Sequence, residues 1–356
     1  MNKYQSAILA GALTINSFNS VGIEIDENAS IKDTTTTIMG VNHIGLSVKN
    51  LDEALSFYQK ATGFELIKRE KVTASAHTDT LYGQEALSYE IAILKAPNML
   101  FELTEFSVNE NAPLPNLPVQ GPGMTHTCFP SPSTAPGYDK FRDAGTRFLT
   151  KGDKPVDIGG YGVTYAYGYD PEGNMFELEQ LDSKVLAHSG YDSSWGDLGY
   201  DMWMSQVALV TPDIEKLVTF YEKILGFKPY RKGSYKNNPK LDAITNTKDL
   251  ALSGGWFKLN DKSKVMEIWQ YKSPKTTAAP ASRAATDLGY TYSLEVGDIQ
   301  KEYQRLTKLG VDFISEPKRL GEFWQVFARD PDSNIFSLRQ IIKPNSNYSL
   351  KNYEKD

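Results

Sequence analysis

The chain has 356 residues, which suits two domains of ordinary size, each with enough interior for a core. A net charge of −6 supplies neither the basic footprint of a nucleic-acid binder nor a patch for anionic lipid, and no apolar run is long enough to span a bilayer. The single cysteine, Cys128, excludes an internal disulfide framework.

Residues 1–38 stand outside the pattern that follows. One early lysine, the apolar stretch Ala7–Ile15 and the small polar residues after it have the outline of a weak signal peptide, without an A-x-A cleavage site. The expectation is a cytoplasmic protein with a flexible leader, export to periplasm or medium being the alternative. A strand, VNHIGLSV, comes next; Ile44, Leu46 and Val48 point one way and His43 the other. Asn50 with Glu53 reads as a capping box, Leu51, Ala54, Leu55 and Tyr58 form a helical stripe, and Gly63 stops the helix before Phe64 restarts a strand. In MLFELTEF, Glu102 is isolated between Phe101 and Leu103.

After a Pro-rich loop at 109–123, the strand GMTHTCFP carries His126 and, on the same face, Cys128, read as a small packed thiol rather than a ligand. A helical run around Tyr138–Phe148 ends its periodicity at Gly145. Tyr161, Tyr165, Tyr167 and Tyr169 read as cross-strand packing, and with the Pro-rich loop they are the segments expected to shape a pocket. DPEGNMFELEQ is a turn followed by a strand in which Glu177 lies between Phe176 and Leu178. His77 and His188 fall in polar loops, and residues 183–200 read as a linker.

The pattern then repeats. Residues 42–70 recur at 205–233, a shift of 163, and 170–180 recur at 330–340, a shift of 160. Thr211 with Pro212 marks the start of the second copy's helix and Gly226 its end; a further helical run, Ile299–Phe313, contains Gly310. Residues 344–356 read as a flexible tail.

Taken singly, His43 reads as a hydrogen-bonded structural group, and Glu102 or Glu177 as a carboxylate on a half-solvated strand. Each, however, sits alone on the second face of a core-forming strand, where charge is seldom put without a partner. Two imidazoles and two carboxylates are the donor types of Zn, Ni, Co, Fe or Mn, and only a fold could gather residues so scattered.

HIGLSV with its LDEALSFYQKATGFEL helix, FELTEF, GPGMTHTCF and DPEGNMFELEQ, in that order, resemble the vicinal oxygen chelate superfamily, also called the glyoxalase, bleomycin-resistance and dioxygenase group. The resemblance is strong over 40–182 and weaker over 203–342. It implies an α+β fold of two tandem domains, 39–182 and 201–343, each a pair of βαβββ modules curled into a half-open β cup. It further implies one divalent metal ion (Zn, Ni, Co, Fe or Mn) held by His43, Glu102, His126 and Glu177, a set most similar to that of bacterial glyoxalase I. At the matching positions of the second copy stand Gln206, Glu267, Tyr292 and Ser337. Tyr and Ser are poor ligands, so the C-terminal half is expected to be metal-free and to cover the first half, shape the pocket or form a homodimer. Ser47 and Phe106 occupy places where bacterial glyoxalase I has Arg and Asn for glutathione, which argues for a different small-molecule substrate.

By the same resemblance, Glu177 is ligand and general base, and Glu102 the second ligand or acid, of a metal-dependent isomerase or lyase. Two alternatives stand beside it: an extradiol-type Fe(II)/Mn(II) ring-cleaving dioxygenase, and a non-catalytic drug-sequestering protein.

Overall fold

The computed structural model describes residues 20–26, 33, 35–188, 198–259 and 264–353. Residues 1–19, on which the signal-peptide reading rests, lie outside them, as do 189–197 of the expected linker. Four βαβββ modules follow one another. The first is β2 (Ile38–Val48), α1 (Leu51–Thr62), β3 (Glu65–Val72), a short helix α2 (Ala76–Tyr82), β4 (Tyr89–Lys95) and β5 (Leu100–Phe106), preceded by the edge strand β1 (Ser20–Ile25). The second is β6 (Gly123–His126), β7 (Cys128–Pro132), α3 (Gly137–Ala144), β8 (Arg147–Phe148), β9 (Val156–Asp157), β10 (Val163–Tyr169) and β11 (Met175–Leu181), with α4 (Ser183–His188) after it. The third runs β12 (Gln206–Val210), α5 (Ile214–Leu225), β13 (Arg231–Lys236), α6 (Pro239–Thr245), β14 (Ala251–Lys258) and β15 (Val265–Ser273). The fourth is β16 (Gly289–Val296), α7 (Ile299–Lys308), β17 (Asp312–Phe313), β18 (Lys318–Leu320), β19 (Phe323–Arg329) and β20 (Ile335–Ile341).

The helices begin and end on local chemistry. Asn50 accepts from the Glu53 N–H at the start of α1, and Gly63, at φ 73°, closes it with a bond to the Gln59 carbonyl. Gly226 repeats this stop for α5 at φ 77°. The cap of α5, however, is Asp213, which accepts from Lys216 N–H, and not Thr211; the Thr211 hydroxyl instead accepts from the Asp213 N–H, two residues too early to cap the helix. His77 and His188 are exposed as expected, but each lies in a short helix and not a loop.

On the helical side, the two halves of the chain consolidate separately. Phe57 of α1 meets Phe141 of α3 edge-on at 6.0 Å, and the Tyr58 hydroxyl donates to Asp170 at the turn before β11. The second half repeats the device, the Tyr221 hydroxyl donating to Asp330, while Arg305 of α7 bonds the last carbonyls of α5.

The sheets pair otherwise. The first strand of module one, β2, runs antiparallel to the first strand of module four, β16, over the register Gly289↔Ser47 to Val296↔Ile38. This produces one curled sheet ordered β17-β19-β20-β16-β2-β5-β4-β3. The first strand of module three, β12, lies against β6 of module two, giving the order β1-β13-β14-β15-β12-β6. Across Thr127 the same segment continues as β7, which pairs with β11 and then β10; the Glu177 N–H donates to the Thr127 carbonyl, and the Thr127 hydroxyl donates to the Gln206 carbonyl. The α+β fold of two vicinal-oxygen-chelate units thus stands as expected, but each cup is shared: modules one and four build the first, modules two and three the second. The two seams are made by edge strands of similar apolar pattern, so nothing local distinguishes one pairing from the other.

Three peripheral expectations are corrected. Ser20–Ile25 of the leader is an edge strand on β13, and the Thr37 N–H donates to Glu302. The described ends of the linker are packed, Leu186 buried in an apolar cluster and Leu198 lying against the same cluster. The tail is docked through Tyr353: Leu350 is buried, and the Ser349 hydroxyl and Leu350 N–H both donate to buried Glu295.

Candidate metal centre

The four residues His43, Glu102, His126 and Glu177 do not come together. They divide between the cups, and each pair meets partners from the C-terminal half.

In the cup of modules two and three, His126 from β6, Glu177 from β11 and Glu267 from β15 offer donor atoms all within 4.8 Å of one another, and His126 Nε2 stands 3.7 Å from Glu177 Oε2. Strand register explains the convergence. Glu177 pairs with Cys128, two residues past His126, and Glu267 pairs with Ala208, two residues past Gln206, so the four side chains share the concave face. Gln206 Nε2 donates to Glu267 Oε1 at 3.4 Å, so its side-chain amide lies against the same cluster. All four residues are buried.

Two features of this cluster have no account within the protein alone. His126 Nε2 and Gln206 Oε1 are buried without a hydrogen-bond partner, a costly condition for polar atoms. Two carboxylates also share the space: burial and then the charge of Glu177 push the Glu267 carboxyl up to about 7. A divalent cation answers both. One imidazole, one amide oxygen and two carboxylates are donors such an ion accepts, and two negative charges balance it. The Thr125 hydroxyl pairs with His126 Nδ1 at 2.9 Å and leaves Nε2 to face the cluster.

The surroundings are aromatic. The Trp256 and Trp269 indole N–H groups donate to Glu267 at 2.8 and 3.0 Å, and Tyr167 lies over the His126 ring at 5.0 Å. The tyrosine run belongs to this wall: Tyr167 pairs with Glu177 and Tyr165 with Glu179, while Val119 of the Pro-rich loop joins the same apolar cluster. Helix α6 closes the side, burying Ile244 among the tyrosines and bonding its last carbonyls to Lys151 N–H and the Thr150 hydroxyl. Behind the cluster, Cys128 and Glu179 form with Glu177 a second buried group whose ligand atoms lie within 4.8 Å of one another, so Cys128 stands beside potential ligands and is not simply a packing thiol. Burial and the charges of Glu177 and Glu267 raise Glu179 well above the usual carboxyl range, and burial raises the Cys128 thiol.

In the cup of modules one and four, Arg339 takes the place of an ion. Its guanidinium forks onto Glu102, Nη1 to Oε1 at 2.7 Å and Nη2 to Oε2 at 3.1 Å, and also donates to Gln325 Oε1. Burial alone would raise the Glu102 carboxyl, but Arg339, helped by His43, outweighs it and holds Glu102 at about 2. Burial first, then the Arg339 charge, push His43 down to about 3. Both oxygens of Glu102 are thus engaged by a fixed cation, which excludes a second one, and His43 and Glu102 do not fit a metal. The register also shifts one comparison: Ser337 pairs with Ser293, so Thr291, not Tyr292, occupies the His126 place, and Tyr292 is a core residue stacked on Phe336. Arg339 was visible in the repeat as the Arg of FSLRQ opposite Glu179 of FELEQ, and Gln206 and Glu267 as donors in the half read as metal-free.

The sequence model of the Glyoxalase/Bleomycin resistance protein/Dioxygenase superfamily matches residues 40–178 and again 203–338. The chain belongs to this superfamily. Among its relatives, an ethylmalonyl-CoA/methylmalonyl-CoA epimerase of Cereibacter sphaeroides is 23% identical over 40% of this chain and 97% of its own length. A protein named Glyoxylase I 4 of Arabidopsis thaliana is 26% identical over 41% of this chain and 73% of its own. Glyoxalase I of Zea mays has a similar fold, with a TM-score of 0.55 at 19% identity, covering 85% of this chain and 92% of that one. The relatives of this superfamily chain thus include enzymes, and its family architecture of two cups spans nearly all of the described residues.

Proposed function

We propose that the chain is a metal-dependent lyase or isomerase that binds two neighbouring oxygens of a small-molecule substrate and removes an adjacent carbon-bound proton. The observation that carries this reading is the convergence of His126, Glu177 and Glu267, with the Gln206 amide against Glu267 and with His126 Nε2 and Gln206 Oε1 buried and unpartnered. These four residues would hold a divalent ion. Such an ion supplies Lewis-acid polarisation of a carbonyl, which acidifies the neighbouring C–H.

The protein's own groups divide the remaining work. Glu267 is pinned by two indole donors and serves as a fixed holder. Glu177, whose ring neighbour His126 stands off at 3.7 Å, has the freedom a proton acceptor needs; it takes the proton from one carbon and returns it to the next. The tyrosine wall and α6 shield the site from bulk water, which strengthens the polarising effect of the charges inside it. Glu267 thereby takes the part that the sequence assigned to Glu102. The epimerase and glyoxalase relatives support proton transfer beside a carbonyl as the reaction class.

Elemental analysis of purified protein tests the reading, followed by deuterium exchange from D2O into a panel of dicarbonyl–thiol adducts and acyl thioesters. One ion per chain, lost in His126→Ala and Glu267→Gln but kept in His43→Ala, is expected, with exchange abolished in Glu177→Gln. Wild-type protein that neither holds nor takes up a divalent ion would overturn it, and oxygen uptake with catechols in place of proton exchange would move the chain to the dioxygenase class.

A further inference from the structure

We infer that the cup of modules one and four is a second, metal-free binding site for a neutral, flat phenol-like molecule. The cup encloses a cavity of about 600 Å³, the size of a small organic ligand. Its floor carries no net charge: Arg339 and Glu102 cancel, and His43 is neutral. The rim is balanced too, Lys68 on Glu70 and Lys343 on Glu322 at 2.6 Å each. A charged ligand would arrive without a counter-ion, whereas a neutral one loses nothing.

One wall is a cluster of rings. Tyr82, delivered by α2, lies 5.5 Å from Tyr89, 5.2 Å from Phe106 and 4.9 Å from Phe327, and all four line the cavity. Such a surface receives an aromatic plane. The floor lacks a donor at one spot. Asn42 spends its N–H2 group on Glu295 and the Tyr348 carbonyl, so its oxygen accepts from His43 Nδ1–H. His43 Nε2 is then an acceptor, facing a second acceptor, Glu102 Oε2, at 3.3 Å. A ligand O–H placed between them supplies the missing proton, which is why a phenol and not merely an arene is assigned.

The test uses 2-naphthol, 2-methoxynaphthalene and 2-naphthoate as calorimetric probes of the full chain. One 2-naphthol per chain is expected, with the ether and the carboxylate each about ten-fold weaker or worse. Thr104 lines the cavity two residues beyond Glu102; Thr104→Phe fills the space and should remove binding while leaving the metal content of the other cup unchanged. His43→Leu should erase the preference for naphthol over its ether, an outcome that stands even if the filling variant fails to fold. His126→Ala should bind naphthol as wild type does. Absence of saturable binding, a preference that survives His43→Leu, or binding lost in His126→Ala each overturns the proposal.

Discussion

Arg339→Met removes the cation at the floor of the first cup and leaves Glu102 buried alone. The size of the effect follows from the structure in two ways. Glu102 is held at about 2 against an ordinary 4.5, a displacement worth about 3 kcal/mol. Deleting one partner of a buried ion pair costs on the order of 3–5 kcal/mol by general experience, in agreement. The sign with pH is defined. A depressed carboxyl stabilises the fold above its unfolded value of 4.5, and that contribution fades as pH falls toward 2. In the variant, burial without Arg339 raises Glu102 instead, so it protonates on folding and the deficit shrinks in acid. Urea unfolding followed by circular dichroism should therefore show Arg339→Met destabilised by about 3 kcal/mol at pH 7 and by less at pH 5. The double variant Arg339→Met/Glu102→Gln should recover most of the loss at either pH. A deficit below about 1 kcal/mol at pH 7, or one independent of pH, would refute the ion-pair account and with it the reason this cup rejects a metal.

Other consequences follow from the same geometry. Glu267, raised to about 7, binds a proton on folding between its unfolded 4.5 and 7, so metal-depleted protein should lose stability as pH rises through that window. Added divalent ion should reverse the trend, and thermal melts at pH 5.5 and 8 with and without EDTA check it. Gly168→Ala places a Cβ 2.5 Å from the Thr146 methyl and 3.0 Å from Phe176, and should lower stability by about 1–3 kcal/mol in urea titrations. Truncation after Lys343 strips the Ser349 hydroxyl and the Leu350 N–H from buried Glu295, two hydrogen bonds to a buried carboxyl group, and should lower the melting temperature clearly; a tail that was merely frayed would give no change.

Much of the fold is local and therefore readable along the chain. Asn50, Gly63 and Gly226 act within one turn of their own helices, strand alternation isolates His43, Glu102, His126 and Glu177 from their apolar neighbours, and the repeat announces four modules of one kind. Family and fold class follow from those features. What tertiary structure alone decided is which modules share a cup. That choice rests on two seams, β2 with β16 and β12 with β6, between strands far apart in sequence whose hydrophobic patterns are interchangeable. It splits the expected quartet, hands His126 and Glu177 the partners Gln206 and Glu267, and sets Arg339 against Glu102. The sequence by itself thus determined the donor types and the faces they occupy, because period and side-chain chemistry are properties of each strand. Only the closed sheets determined which donors meet, because that is a property of register between strands, and a carboxylate becomes a metal ligand or half of an ion pair according to what lies across the seam.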